Sequence, residues 1–310
     1  MVRFGLCCIF RDTQIKFRRT TARYLGALDP AAGRQRLAEL CRHNALSLQQ
    51  ALAYCQSAGI GAFRINSQIL PLKTHPDAGY ALSDLPGGRD IESMFRDAGR
   101  FARQNDIRTS FHPDQFILLS SPDRQVVARS VADLVYQAEV GEWTGADVLN
   151  IHAGGVYGDK PAALARLAAN VARLPEMVRR RLTLENDDRS YTPADLLPVC
   201  HSLHLPLVYD VHHHRCLPDG LDEETATKKA MATWDCEPLF HLSSPAAGWG
   251  GKDPRPHHDY INVADMPACW RRLDITVEVE AKAKELAVAR LMQDFARKKG
   301  ITGRFRPLSV

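Results

Sequence analysis

Short apolar segments of this chain end repeatedly at, or shortly before, a histidine or carboxylate that could bind a metal ion. The residues in these positions are His75, His112, His152, Glu185, Asp210, His213, His241 and Glu280. Imidazole nitrogen and carboxylate oxygen together suit divalent Zn, Mn and Fe, which act as Lewis acids on phosphoryl or carbonyl oxygen. The first chemical hypothesis is therefore a metal-dependent enzyme.

The joint pattern carries this hypothesis, because a single histidine after a strand is more often a hydrogen-bonded loop residue. His43, His201 and His204 lie in helical contexts and have this ordinary interpretation. A histidine or carboxylate at the ends of six successive predicted strands is not expected by chance. Among the consecutive residues His212–His214, alternation along an extended chain would point only some side chains inward.

The elements that position these residues alternate between strand and helix. The predicted strands are Arg3–Cys8, Ala62–Ile65, Arg108–Phe111, Asp147–Ile151, Arg181–Leu184, Pro206–Tyr209, Leu239–Leu242 and Asp274–Val279. The predicted helices are Arg36–Ser57, Ile91–Gln104, Asp123–Gly141, Pro161–Val178, Thr192–Leu203, Leu221–Thr233, Asn262–Arg272 and Ala281–Lys298. This alternation predicts a (β/α)8 TIM barrel with a metal cluster at the C-terminal strand ends. An open doubly wound sheet stays an alternative, weakened because no GxGxxG motif opens its first helix.

Size and composition fit a globular enzyme. The chain has 310 residues, 45% hydrophobic and 25% charged, which accommodates one barrel domain over 1–310 with a terminal helix 281–298, or two ordinary domains. No apolar segment approaches the ~18 residues of a membrane span, and we expect a cytoplasmic protein because the cysteines have no disulfide framework. The eight cysteines show no CxxC spacing, which favours reduced thiols. A net charge of +4 is compatible with a phosphate-bearing partner.

The motifs around these residues resemble those of the UV damage endonuclease family, the UvsE/UVDE-type DNA repair nucleases. The resemblance covers most of the chain, roughly from Val2 to Glu285. Its carriers, in the order of the family, are Phe63–Pro76, Phe111–Phe116, His152–Lys160, Leu184–Asp188, Asp210–His214, His241–Pro245 and Val279–Glu285. Any one of these motifs alone would be weak, whereas the ordered run is specific.

The resemblance implies a barrel that is related to endonuclease IV. It also implies an enzyme that nicks the DNA strand immediately 5′ to UV photoproducts and leaves a 3′-hydroxyl. Abasic sites are a further candidate substrate. It also implies two or three divalent ions, with manganese first and Zn, Mg or Fe as alternatives. The implied ligands are Glu185, Asp210, His241 and Glu280 for one ion, His112, His152 and a bridging Glu185 for a second, and His213 and His258 for a third, with His75 in the same cluster. The three acids would be the catalytic residues.

Duplex DNA buries the lesion, so such an enzyme must expose it by flipping nucleotides out of the stack. The resemblance gives this probing role to Gln115 and Phe116, and stacking of the Phe116 ring on a base would contribute ~1–3 kcal/mol. The alternative is that Phe116 only packs its own loop. Lys73, Lys160 and Arg189 could contact phosphates or be ordinary surface charges. We expect damaged double-stranded DNA as the partner of a monomer, with no membrane involved.

The sequence departs from the family pattern at three positions. The lesion-probing tyrosine of the family is Phe116 here, which retains stacking and loses a hydroxyl. A tyrosine of some members on the first strand is Leu6. A lysine near the metals, which can be carboxylated, is Leu239, and leucine cannot coordinate a metal. We therefore expect a weaker third ion, or substitution of the lysine by His257 or His214.

Two alternatives to the nuclease interpretation follow from the same residues. A sugar isomerase of the xylose-isomerase type also gathers His, Asp and Glu at the strand ends of a barrel. A non-catalytic lesion-binding protein with a decayed cluster would explain Leu239. The joint presence of Glu185, Asp210, His241 and Glu280 argues against decay.

Overall fold

Eight strands and the helices between them form the predicted (β/α)8 barrel in this computed structural model, which describes residues 1–298. The strands are β1 Val2–Cys7, β2 Ala62–Ile65, β3 Arg108–Phe111, β4 Val148–His152, β5 Leu182–Glu185, β6 Leu207–Val208, β7 Leu239–Leu242 and β8 Ile275–Val279. They form one sheet in the order β6-β5-β4-β3-β2-β1-β8-β7, with parallel pairing. A parallel bridge from Asp210 to His241 joins β6 to β7, so the two edge strands meet.

The helices connect successive strands. They are α1 Ala22–Gly26, α2 Pro30–Ala58, α3 Gly88–Gln104, α4 Arg124–Thr144, α5 Lys160–Val171, α6 Glu176–Arg179, α7 Pro193–Leu203, α8 Val211–Cys216, α9 Glu223–Met231 and α10 Glu285–Lys298. Two 3-10 segments, Leu82–Asp84 and Ala268–Arg272, are shorter. No helix within residues 1–298 combines the length and apolar composition that crossing a bilayer requires.

Three predicted helices are wrong in part. The terminal helix begins at Glu285 and not at Ala281, because the turn before it places Lys284 in the left-handed region with φ of 52°. The predicted helix Pro161–Val178 is divided, because Pro175 stands in an extended conformation at the start of α6 and disfavours helix in the residue before it. Of the predicted helix Asn262–Arg272, only the 3-10 segment Ala268–Arg272 forms. There the Asn262 side chain accepts the N–H of Ala264 at 3.0 Å, which makes a turn instead of a helix start.

The first of two compact units consists of Met1–Asp12, Cys55–Phe63 and the chain from Thr183 onward. Its core contains fully buried aromatic rings, with Phe240 of β7 packed at 5.2 Å against Trp270 and at 5.9 Å against Tyr209. Each strand is a short apolar run in the sequence because a strand of a parallel sheet is buried on both faces. This unit holds the strand ends from β5 to β8.

The second compact unit consists of Thr13–Tyr54 and Arg64–Leu182. Leu48 of α2, Phe95 of α3 and Phe111 of β3 are fully buried in it. Helix α3 packs closely on α4 because Gly99 has no side chain to separate the two backbones. The interpretation of 1–310 as one domain stays a prediction, and residues 299–310 lie outside the described part of the chain.

Candidate metal centre

Five candidate ligands of the first unit converge at the carboxyl ends of β5 to β8. Glu185 is the last residue of β5, and Asp210 directly follows Tyr209 after β6. His213 lies in the first turn of α8, His241 lies in β7, and Glu280 directly follows β8. Because the carboxyl ends of parallel strands meet at one edge of a sheet, these side chains come together. We call these five residues the first-unit donor group.

The two histidines of the donor group face its carboxylates. His241 Nδ1 lies 2.9 Å from Glu185 Oε1 and 3.5 Å from Glu280 Oε1. It lies 4.0 Å from Asp210 Oδ2. His213 Nδ1 lies 3.4 Å from Glu185 Oε1 and 3.6 Å from Asp210 Oδ2. Three acids and two imidazoles thus share one small space, and donor atoms of Glu185, Asp210 and His213 lie within 4.8 Å of one another.

Asp210 is fixed in place by its neighbours and still has one oxygen without a donor. The Asn186 side chain donates to the Asp210 carbonyl at 2.9 Å and accepts the Asp210 N–H at 3.0 Å. Asp210 Oδ1 accepts the N–H of His213 at 2.8 Å and so caps α8. The buried Oδ2 accepts no hydrogen bond from the residues that the structure describes. Because an unsatisfied buried acceptor costs about 1–3 kcal/mol or more when charged, the donor group fits a divalent cation.

The three consecutive histidines belong to helix α8, so the expectation of an extended chain there is wrong. The Asp210 cap starts the helix, and successive helical side chains point roughly 100° apart. Of the three, only His213 faces Glu185 and Asp210. His212 packs instead on the ring of Trp249, at 5.1 Å between centroids.

His214 is excluded as a substitute for the missing lysine. Its Nδ1 makes a hydrogen bond of 2.8 Å with the Tyr209 hydroxyl, and its Nε2 makes one of 2.9 Å with Asp219 Oδ1. Both ring nitrogens are therefore used in a buried polar network. The prediction that His214 could take the role of the lysine replaced by Leu239 is wrong for this reason.

His257 lies beside the donor group, whereas His258 does not. His257 Nδ1 lies 3.8 Å from Glu280 Oε2, and its ring lies 5.1 Å from that of His212 and 6.3 Å from that of His213. His258 is exposed, and its Nδ1 accepts a backbone N–H from two residues further along the chain at 2.9 Å. Of the two adjacent histidines, His257 is thus the one placed to bind a cation.

Opposing effects set the charge of the central histidines. Burial lowers the pKa of His213, but the carboxylates of Asp210 and Glu185 outweigh it and hold this pKa well above its ordinary value. Burial lowers the pKa of His212, and neighbouring His257 and His213 act in the same direction. The raised pKa favours the protonated ring of His213, and a cation that binds through this ring would have to displace a proton.

His112 and His152 form an imidazole pair within the second unit. They stand at the ends of β3 and β4, both partly exposed, with ring centroids 5.1 Å apart. His112 Nδ1 donates to the carbonyl of Pro113 at 3.1 Å, which places the lone pair of a neutral ring on Nε2. Such a backbone contact is the usual orienting partner of a metal-binding histidine.

His75 occupies a turn in the long connection after β2. Its Nδ1 accepts the backbone N–H groups of Asp77 at 3.2 Å and Ala78 at 3.3 Å. In a neutral ring this leaves the proton on Nε2, so His75 presents no lone pair in this arrangement. Its assignment as a ligand stays a prediction.

The residues expected to meet DNA lie at the surface. Phe116, in the loop between β3 and α4, is 73% exposed. Its ring is therefore not needed to pack its own loop, which was the alternative role for this residue. Gln115 beside it is also exposed. Lys160 begins α5, and the Arg189 side chain is 70% exposed with Asp188 Oδ1 3.8 Å away. All four stay candidate DNA contacts.

Of the three positions that depart from the family pattern, Phe116 is exposed and the other two are buried. Leu6 is fully buried in β1, and Leu239 of β7 is 1% exposed, so both serve the core. Lys73 also has a structural role, because its Nζ lies 3.8 Å from Glu139 and 5.9 Å from the centre of the Tyr80 ring. A phosphate contact by Lys73 therefore loses support.

Sequence reasoning missed two residues of this region, Asn186 and Glu278. Asn186 directly follows Glu185, and only the fold shows that it holds the backbone of Asp210. Glu278 is buried, with Oε2 3.2 Å from His241 Nε2. A signal for Glu278 was present, because residues two apart on a strand share a face and Glu280 was already a candidate.

The fold and the donor group define a class, a (β/α)8 barrel with a candidate metal centre at the carboxyl ends of its strands, and comparison with known proteins narrows it. The family described as UV-endonuclease UvdE matches residues 2–306. A UV DNA damage endonuclease of Bacillus velezensis is 34% identical over 294 residues, which covers 91% of this chain and 89% of that protein. The crystal structure of SacUVDE superposes with a TM-score of 0.84 at 26% identity, covering 96% of this chain and 99% of that one.

The chain therefore belongs to the UV-endonuclease UvdE family, and it is an enzyme, as the resemblance indicates. Endonuclease IV from Thermus thermophilus shares the fold, with a TM-score of 0.63 at 13% identity over 96% of this chain and 99% of that one. Membership of an endonuclease family removes the support for the sugar-isomerase and non-catalytic alternatives.

Proposed function

We propose that this protein is a metal-dependent DNA repair endonuclease that nicks the phosphodiester bond 5′ to UV photoproducts in double-stranded DNA. Its substrates would be cyclobutane pyrimidine dimers and 6-4 photoproducts, with abasic sites as a further class. The observation that carries the proposal is the buried first-unit donor group, three acids around His241 Nδ1, in a member of this family.

Glu185, Asp210, His241 and Glu280 would hold one ion, with His213 beside them. When bound, divalent ions lower the pKa of water and stabilise negative charge on phosphoryl oxygens. Manganese fits this mixed set of imidazole and carboxylate donors, as do Zn and Fe. The two acids nearest to His241 Nδ1, Glu185 and Glu280, can also orient a water molecule by accepting its hydrogen bonds.

A metal-binding role is also proposed for His112 and His152, the imidazole pair of the second unit, because of the family resemblance and their 5.1 Å ring separation. For a further ion, His257 with His213 is better supported than His258, since His257 Nδ1 lies near Glu280. Leu239 supplies no donor atom, so we expect this last ion to bind more weakly than the others.

Recognition of the lesion would depend on the loop after β3. Phe116 presents an exposed ring that can stack on an unpaired base, and Gln115 offers hydrogen bonds to base edges. Lys160 and Arg189 would contact the phosphate backbone without reading sequence. Because these contacts stabilise an opened duplex, the enzyme would favour sites where damage already weakens base stacking.

Single substitutions in the donor group test this proposal. Glu185→Gln and Glu280→Gln keep side-chain size and remove one negative charge, so each should lower nicking of a dimer-containing duplex by about 100-fold or more. Glu224→Gln, an exposed acid paired with Lys228 in α9, is the matched control and should nick normally. Full nicking activity in Glu185→Gln would show that the assigned centre is not the catalytic one.

A further inference from the structure

The imidazole ring of His241 has a carboxylate on each side. Its Nδ1 lies 2.9 Å from Glu185 Oε1, and its Nε2 lies 3.2 Å from Glu278 Oε2. His241 and Glu278 are register partners in β7 and β8, and at most 1% of either residue is exposed. Glu278 has no role in the set of metal ligands proposed above, so its position requires its own explanation.

The fold makes room for Glu278 close to the neighbouring strand. Gly5 of β1 pairs with Glu278, and a Cβ atom on Gly5 would lie 3.2 Å from Glu278 Cγ. That distance is tighter than normal packing, so glycine at this position lets the glutamate side chain lie in the barrel interior. Glu280, two residues further, shares the same face of the chain and reaches the donor group.

A buried carboxylate is costly unless it is paired and hydrogen-bonded. For fold stability alone, an apolar residue of the same size would serve at least as well between two core strands. A carboxylate beside a metal-binding histidine has a different value, because it fixes the tautomer and the orientation of the ring. The contact of Glu278 with Nε2, opposite to the nitrogen that faces the acids, has the geometry of this arrangement.

We propose that Glu278 is a positioning residue of the metal centre. It accepts the Nε2 proton of His241 and thereby directs the Nδ1 lone pair toward the space between Glu185, Asp210 and Glu280. In the metal-free protein Nδ1 makes a hydrogen bond of 2.9 Å with Glu185 Oε1, so a divalent ion that binds there takes the place of the Nδ1 proton, while Glu278 keeps the ring in its orientation. This inference rests on the proposed function, because it requires metal binding at His241.

Two variants of the full chain separate this role from a structural one. Glu278→Met removes the acceptor and retains the side-chain volume, so Mn²⁺ affinity of the metal-stripped protein should fall about 10- to 100-fold. Its unfolding temperature without metal should stay equal or rise, because a buried charge is gone. Glu278→Gln keeps an acceptor oxygen, and its Mn²⁺ affinity should stay within a few fold of the parent protein.

Glu285→Gln is the matched control for a buried glutamate. Glu285 is 1% exposed, and its carboxylate accepts the backbone N–H groups of Arg11 and Asp12. This substitution should lower the unfolding temperature and leave Mn²⁺ affinity unchanged, the opposite combination to Glu278→Met. Equal Mn²⁺ affinity in Glu278→Met and the parent protein would overturn the inference. Absence of Mn²⁺ binding in the parent protein would instead overturn the proposed function.

A second measurement needs no substitution at Glu278, so the inference can still be tested if Glu278→Met does not fold. Nitrogen NMR of the histidine-labelled protein loaded with Zn²⁺ reports which ring nitrogen carries the proton. We expect a protonated Nε2 and a metal-bound Nδ1 for His241, whose signals are identified by their loss in His241→Gln. A proton on Nδ1 would contradict the assignment of Glu278.

Discussion

At the scale of single residues, the donor group concentrates like charges. Glu185, Asp210 and Glu280 all point at His241 Nδ1, and Asp210 Oδ2 accepts no hydrogen bond among residues 1–298. Carboxylates held this close repel one another, and a bound cation relieves the repulsion. Metal should therefore stabilise the fold, by about 2.7 kcal/mol when its concentration is 100 times the Kd.

Asp210→Asn separates the role of this residue as a helix cap from its role as a ligand. Asparagine caps helices as well as aspartate does, so the unfolding temperature of the metal-free variant should stay close to that of the parent protein. The stabilisation by Mn²⁺ should be lost, because one anionic ligand is gone. Thermal unfolding with Mn²⁺ and with a chelator measures both effects, and an undiminished Mn²⁺ effect in the variant would contradict the assignment.

Phe116→Ala tests the exposed ring of the loop after β3. Because the ring is 73% exposed, its removal should leave the unfolding temperature unchanged. Loss of one base-stacking contact of ~1–3 kcal/mol should weaken binding to a dimer-containing duplex about 5- to 150-fold. Phe116→Tyr keeps the ring and should bind like the parent protein. Affinities are best measured in the Glu185→Gln background, where cleavage is suppressed, and equal affinity for Phe116→Ala would refute the stacking role.

The sequence indicates which residue types bind the metal, but it does not indicate which of two adjacent histidines faces the acids. His257 and His258 are adjacent, and alternation requires that they point to different sides without saying which one faces the acids. Only the contacts of the folded chain decide it, with His257 beside Glu280 and His258 bonded to its own turn. The same limit applies to His212–His214, whose helical conformation depends on the Asp210 cap.

At the scale of secondary-structure elements, Asp219 links two helices near the candidate metal centre. It binds His214 of α8 at 2.9 Å and accepts the N–H of Ala194 in α7 at 2.7 Å. Burial raises the pKa of Asp219. The N–H groups of Ala194 and Leu221 and the His214 ring lower it by more than burial raises it, so this pKa lies below its ordinary value. The contribution of Asp219 to stability is thus present above about pH 4 and is lost as pH falls through the lowered pKa.

Asp219→Asn should therefore lower the free energy of unfolding by about 1–2 kcal/mol at neutral pH. The difference between variant and parent should shrink below about pH 4, where the parent carboxylate also becomes protonated. Denaturant unfolding at a series of pH values measures this. Asp235→Asn, an exposed carboxylate, is the control and should change little. A difference that grows on acidification would contradict the lowered pKa of Asp219.

Gly99 tests the contact between α3 and α4. A Cβ atom at this position would collide with the backbone of Trp143 and Thr144. Alanine is a better helix former than glycine by about 1 kcal/mol, yet we expect the collision to dominate and Gly99→Ala to lose about 1–3 kcal/mol of stability. Gly250→Ala, where a Cβ would meet nothing within 4 Å, is the control. A stabilised Gly99→Ala would show that the helices can separate at little cost.

The elements themselves were largely predictable. The bounds of β2, β3 and β7 are those expected from their apolar runs, because strands buried in a parallel sheet leave a continuous apolar signature. The prediction failed over Asn262–Arg272, where apolar spacing resembles a helix but Asn262 and Pro267 favour a turn. Local turn chemistry there outweighed periodicity.

At the scale of the whole molecule, the order of the strands explains why separated motifs serve one function. Residues from the ends of β5, β6, β7 and β8 are almost a hundred positions apart in sequence. They come together because β5 pairs with β6, β7 pairs with β8, and the bridge from Asp210 to His241 joins β6 to β7. The (β/α)8 alternation was readable from the sequence, and the family assignment agrees with it. Positioning contacts such as Glu278 to His241 were not readable, since they depend on strand register.

Metal-dependent cleavage beside a UV lesion can be measured with a defined DNA substrate. An end-labelled duplex with a single cyclobutane pyrimidine dimer is incubated with the protein and Mn²⁺, with a chelator and an undamaged duplex as controls. We expect one chelator-sensitive cut immediately 5′ to the dimer, leaving a 3′-hydroxyl that a polymerase can extend, and no cut in the undamaged duplex. Intact dimer duplex despite demonstrated Mn²⁺ binding, or a cut that persists in the chelator, would contradict it.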